Sequence, residues 1–138
     1  MSAPSLHHVA IVVKDIADAL RFYRDKLGLS VREVRDVPDQ RVRIAFLPLG
    51  ESLLELVQPL DESSGVARYL AELERDAALH HVCLAVDDLP GELGRLERGG
   101  TELVDRAPRP GAEGEVAFLH PRASGGVLVE LIDRASTR

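Results

Sequence analysis

Two histidines and two glutamates recur in this chain with the spacing of a duplicated donor set. Glu55 follows His8 by 47 residues, and Glu130 follows His81 by 49. The histidines stand 73 residues apart and the glutamates 75. Neutral imidazole nitrogen and carboxylate oxygen together suit a divalent first-row metal: Zn, Co, Mn, Ni or Fe. A lone histidine beside a strand is more often structural, and a lone strand glutamate more often exposed. The repetition of both types at nearly one offset favours a single metal site.

The segments around these residues repeat as well. His7-His8-Val9-Ala10-Ile11-Val12-Val13 is echoed by His80-His81-Val82-Cys83-Leu84-Ala85-Val86, and Leu53-Leu54-Glu55-Leu56-Val57 by Leu128-Val129-Glu130-Leu131-Ile132. These β-branched, apolar runs read as strands. Between them Ile16, Leu20, Tyr23 and Leu27 keep helical spacing behind the N-cap Asp15 and ahead of Gly28. Leu89, Leu93 and Leu96 repeat the stripe behind Asp88 and ahead of Gly99-Gly100. Further strands are expected at about 29–36, 41–48 and 52–58, then at about 102–105, 115–119 and 126–133, separated by turn residues. A linking helix is expected at about 64–75, carrying Val66, Leu70 and Leu73. The fold class is therefore α+β. Two paired β-α-β-β-β modules, about 5–60 and about 78–134, form a cupped mixed sheet with helices on the outer face. All 138 residues make one domain, since neither half is large enough to bury a good core alone.

Strand alternation assigns the faces. Val9, Ile11 and Val13 share one face with His7; Ala10 and Val12 share the other with His8. In the second copy Val82, Leu84 and Val86 lie with His80, and Cys83 and Ala85 with His81. The bulky face is expected to meet the helices. The face with small side chains is left for a concave, less filled surface holding His8 and His81. Glu55 and Glu130 oppose the leucines and valines beside them. A carboxylate amid apolar residues is costly unless it is paired or metal-bound.

Composition narrows the function classes. The net charge is −6, which argues against the basic footprint of a nucleic-acid partner. The single cysteine, Cys83, cannot form an internal disulfide, and its apolar setting suits a buried thiol in a reducing compartment. No run approaches the ~18–20 apolar residues of a membrane span, and no leader-like segment opens the chain, so a cytoplasmic location is expected. Aromatics are only 4% and tryptophan is absent, so the core must be aliphatic.

The repeated segments resemble the vicinal oxygen chelate superfamily and, more narrowly, the methylmalonyl-CoA epimerases. The resemblance also rests on Phe22-Tyr23-Arg24-Asp25-Lys26-Leu27-Gly28-Leu29, Val42-Arg43-Ile44-Ala45-Phe46-Leu47, Leu79-His80-His81-Val82, Phe118-Leu119-His120-Pro121 and Gly126-Val127-Leu128-Val129-Glu130-Leu131. It implies metal ligands at His8, Glu55, His81 and Glu130, and in some epimerases the position of Glu55 is glutamine. It also implies a homodimer and an acyl-CoA substrate whose α-carbon is inverted through a metal-stabilised enolate, with Glu130 as a proton carrier. Relatives place a second glutamate where Ile44 stands here. That leaves a water at the metal, or Gln40 as a positioning residue, beside a carrier not yet placed. His120 and the Ser124-Gly125-Gly126 turn are the expected substrate-facing loop, and Arg122, Arg35, Arg41 and Arg43 either meet CoA phosphates or face solvent. A lyase of the glyoxalase I kind shares the donor pattern. A binding protein of the same fold is the non-enzymatic alternative.

Overall fold

A computed structural model describes residues 3–137. The chain divides into two compact units: residues 8–80, and residues 81–137 together with 3–7. Each unit repeats one topology.

In the first unit, β1 (Ser5–Val13) leads into α1 (Ile16–Leu20), then β2 (Glu33–Val37), β3 (Val42–Leu49) and β4 (Ser52–Pro59), followed by α2 (Gly65–Leu73). The strand order is β2-β3-β4-β1, antiparallel except that β1 and β4 run parallel. In the second unit, β5 (Ala77–Val86) leads into α3 (Leu89–Arg98), then β6 (Arg109–Pro110), β7 (Glu115–Leu119) and β8 (Val129–Asp133). Its order is β5-β8-β7-β6, again with the helix-preceding strand parallel to the last. The parallel pair follows from the crossover, because a helix between two strands returns the chain in the same direction.

Each sheet packs one face on its helix through the residues that alternation assigns there. Val13, Ile16, Leu20, Ala45, Leu47, Leu54 and Leu56 form the first core, with Ile11 and Tyr23 against it. Val86, Leu89, Leu93, Ala117 and Leu131 form the second, with Leu84 and Leu96 against it. Asp15 caps α1 by accepting from Ala17 N at 2.9 Å, and Asp88 caps α3 by accepting from Gly91 N at 3.3 Å. On α2, Tyr69 meets His80 edge-on at 5.0 Å, which places that histidine on the helix face.

Four expectations need correction. The helix after β1 is α-helical only to Leu20; Arg21–Lys26 is a π-helical stretch, in which Leu27 N bonds Phe22 O at 2.8 Å. The wider i→i+5 turn shifts the register, so Leu27, expected in the buried stripe, is exposed. The strand expected at 102–105 is a single bridge from Leu103 to Leu119, and the edge strand instead lies at Arg109–Pro110, within what reads as a turn. Proline lacks the N–H that an interior strand must donate, so such a pair survives only at an edge. Leu73 of α2 is exposed; Leu70 carries the helix's burial. Finally, the face with small side chains is not left open: Ala10, Val12 and Cys83 are fully buried, and Cys83 and Ala85 pack with Val116 and Ile132. Among the described residues, no helix is long and apolar enough to cross a membrane.

Candidate active site

Sheet register places each histidine beside its glutamate. In the first unit His8 pairs in register with Leu53, two residues before Glu55, and Glu55 lies opposite Ala10 on one side and Phe46 on the other. In the second, Glu130 lies opposite Cys83 and Phe118. Each carboxylate thus sits between a small residue of the histidine strand and a phenylalanine of the opposite neighbour. The small residue leaves the histidine ring, two positions earlier, room to lean over the glutamate.

The two pairs share one separation, through different ring nitrogens. His8 Nδ1 is 3.1 Å from Glu55 Oε2, and His81 Nε2 is 3.1 Å from Glu130 Oε1. His8 and Glu55 are each 4% exposed and Glu130 is 7% exposed. A buried carboxylate beside an imidazole, in both halves, is chemistry that burial alone disfavours.

The residues fit a metal. Donor atoms about 2.0–2.2 Å from one ion, at right or tetrahedral angles, lie roughly 2.8–3.6 Å apart. Both His–Glu spacings fall in that range, and nitrogen with carboxylate oxygen is a donor set that divalent first-row ions accept.

Strand β3 contributes no carboxylate to this face. Ile44 is 4% exposed and lies in register between Arg35 and Val57, so the position is an apolar wall. The phenylalanines extend that wall. Phe118 meets His81 edge-on, with ring centroids 5.5 Å apart. Arg35 lies over Phe46 at 4.9 Å, and Arg109 over Phe118 at 5.4 Å.

Neither phenylalanine was singled out above. The signal is nevertheless in the chain: Ile44-Ala45-Phe46-Leu47 and Val116-Ala117-Phe118-Leu119 are a third repeated segment.

The other expected residues are placed as follows. Gln40 is exposed at the end of a 3-10 turn between β2 and β3, where Arg41 adopts a left-handed backbone. His120 Nδ1 accepts from Arg122 N at 3.1 Å and its Nε2 lies 3.6 Å from Glu102, so the ring caps the turn at Pro121–Ser124. Ser124 Oγ donates to Val127 O and lies 3.3 Å from Pro121 O, closing the same turn.

Arg122 grips Glu102 with two hydrogen bonds, which holds the Glu102 carboxyl below its ordinary range. Arg43 grips Asp36 with two more and so points away from the His–Glu face. Arg41 donates to Ser63 Oγ.

Comparison with known proteins identifies the family. The profile of the Glyoxalase/Bleomycin resistance protein/Dioxygenase superfamily matches residues 7–118. The ethylmalonyl-CoA/methylmalonyl-CoA epimerase of Cereibacter sphaeroides is 39% identical over 128 residues, covering 91% of this chain and 95% of the relative. The crystal structure of methylmalonyl-CoA epimerase from Mycobacterium tuberculosis superposes with a TM-score of 0.85 at 35% identity, covering 96% of this chain and 92% of that one. A methylmalonyl-CoA epimerase in complex with methylmalonyl-CoA and NH4+ superposes with a TM-score of 0.86 at 28% identity, covering 99% of both chains. The chain belongs to the glyoxalase superfamily and, within it, to the methylmalonyl-CoA epimerase family.

Proposed function

We propose that this protein inverts the α-carbon of methylmalonyl-CoA, or of a related 2-substituted malonyl-CoA, at a divalent cation held by His8, Glu55, His81 and Glu130. The observation that carries this reading is the repetition of a buried glutamate 3.1 Å from a histidine in both units. Family membership supplies the acyl-CoA substrate class.

The α-carbon of a malonyl thioester lies between a carboxylate and a thioester carbonyl. When bound, the cation stabilises the negative charge that grows on those oxygens as the C–H bond breaks.

The chain's own residues do the rest. Glu130 takes the α-proton on its carboxylate, a group able to hold and return it. Phe118 and Phe46 keep water from the two carboxylates. Ile44 cannot carry a proton, so the group that returns one to the opposite face lies off β3. His120 and Ser124 hold the Pro121–Gly126 turn in shape, presenting its backbone to the substrate, and Gln40 reaches the substrate from the turn before β3.

Two measurements test the proposal together. Elemental analysis should find about one equivalent of a divalent metal, and methylmalonyl-CoA in deuterated water should gain deuterium at its α-carbon. A metal-loaded protein that exchanges no acyl-CoA, or that instead consumes methylglyoxal with glutathione, overturns it. The homodimer implied by the resemblance is checked by sedimentation.

A further inference from the structure

The epimerase reading leaves one question: in an acidic chain, which basic group receives the long CoA portion of the substrate? The arginines first considered for it are committed elsewhere. Arg122 closes its fork on Glu102, Arg43 on Asp36, and Arg41 reaches Ser63.

Arg109 differs. It lies on the short edge strand β6, in register with Val116, two residues before Phe118. Its guanidinium carbon sits over the Phe118 ring at 5.4 Å, a cation–π arrangement. Asp105 fixes it from one side. Arg109 Nε donates to Asp105 Oδ2 at 3.2 Å, and the same oxygen accepts from Phe118 N at 2.9 Å. The carboxylate therefore ties the arginine to the backbone of the residue on which it stacks. Nη1 and Nη2 make no hydrogen bond among the described residues.

Phe118 in turn meets His81 edge-on and lies opposite Glu130. One ring thus separates an oriented, open guanidinium fork from the proton-carrying pair. The repeat makes the contrast sharper. Arg35 stacks on Phe46 at the matching place in the other unit, but its Nη2 lies 3.5 Å from Glu33.

From this geometry we infer that Arg109 is a substrate-positioning residue whose open fork donates to acceptor oxygens of the CoA portion, beyond the thioester. The inference rests on the epimerase reading. Two sources offer such oxygens: the amide carbonyls of the pantetheine arm and the phosphates of the nucleotide.

The test compares Arg109→Met and Arg109→Lys with the wild type on three methylmalonyl thioesters: of CoA, of pantetheine and of N-acetylcysteamine. Arg109→Met keeps a stem that can lie on Phe118 and removes the fork. It is expected to raise KM for the CoA thioester by about 10-fold or more, while kcat stays within about twofold. If the penalty persists on the pantetheine thioester and disappears on the N-acetylcysteamine one, the acceptor is an arm carbonyl. If it disappears already on the pantetheine thioester, the acceptor is a phosphate, and Arg109→Lys recovers most of the binding as a point charge.

An unchanged KM overturns the inference. So does an equal penalty on all three thioesters, or a fall in kcat alone, because each places Arg109's effect within the reacting centre. Should Arg109→Met melt early, Arg109→Leu takes its place under the same outcomes, since it too keeps apolar contact with Phe118 and removes both charge and fork. Failure of the epimerase reading looks different: the wild type itself then turns over none of the three.

Discussion

Replacing Glu130 with glutamine and, separately, Glu55 with glutamine should give opposite catalytic results from nearly identical structural changes. Both carboxylates stand 3.1 Å from their histidine, both are at least nine-tenths buried, and both lie between a small residue and a phenylalanine. Glutamine matches glutamate in volume, so neither change opens a cavity or overfills the face. The amide can still meet the histidine nitrogen and still offers an oxygen to a metal. Stability should therefore move by no more than about 1–2 kcal/mol in either variant. What differs is proton transfer. An amide cannot take the α-proton, so Glu130→Gln should slow α-carbon deuterium exchange by about 10²- to 10⁴-fold. Glu55→Gln should stay within about tenfold of the wild type, as the glutamine found there in some epimerases suggests. The assay follows deuterium incorporation by proton NMR, with metal content and melting temperature measured on the same preparations. Equal losses in both variants, with metal retained, would refute the assignment of Glu130 as proton carrier. Loss of metal from Glu130→Gln alone would recast its role as purely that of a ligand.

Other perturbations follow from the same structure. Chelation should abolish exchange and lower the melting temperature, with both restored by added divalent metal, since ligand binding to the folded state stabilises it. Arg134→Ala should cost about 1–3 kcal/mol in denaturant titration. That side chain bonds Asp87, the Ala85 and Ala3 carbonyls at 2.9 Å each, and Ser5 Oγ at 3.3 Å. Gly114→Ala should cost roughly as much, because a β-carbon there would lie 2.8 Å from Ser136 Oγ and 2.9 Å from Ser136 O. The Arg122 hydrogen bonds lower the folded Glu102 pKa, so they favour the folded turn above the ordinary carboxylate range. That contribution fades as pH falls through the depressed value. Carboxyl NMR should show Glu102 titrating higher in Arg122→Ala.

The features legible in the chain were those that strand and helix periodicity encode. Alternation put Ala10 and Val12 on one face and Ile11 and Val13 on the other, and the latter pair does pack with the helix residues Ile16 and Leu20. The two His–Glu pairs were readable because duplication printed them twice. Features set by pairing between strands were harder to read. That Phe46 stands opposite Glu55, and Phe118 opposite Glu130, depends on register, which a one-residue slip would reverse. Arg43 and Asp36 are seven residues apart and look like surface charges until β2 and β3 pair and make them neighbours. The π-helical stretch left no trace either, since Tyr23 and Leu27 continue an α-helical stripe in sequence.

The short strand β6 bears on how this chain avoids edge-to-edge aggregation. An outermost strand offers unpaired N–H and C=O groups to any passing chain, and a long, flat one invites a neighbour to add on. Here the outermost strand of the second unit is only two residues, and one is a proline with no N–H to donate. Gly111 N then turns back onto Gly114 O at 2.7 Å, ending the ladder. The outermost strand of the first unit, β2, is guarded differently: Glu33, Arg35 and Asp36 put charge along five residues. Lengthening β6 by replacing Pro108 and Pro110 with valine would remove that guard, and the consequence to watch for is slow, concentration-dependent precipitation at temperatures well below melting.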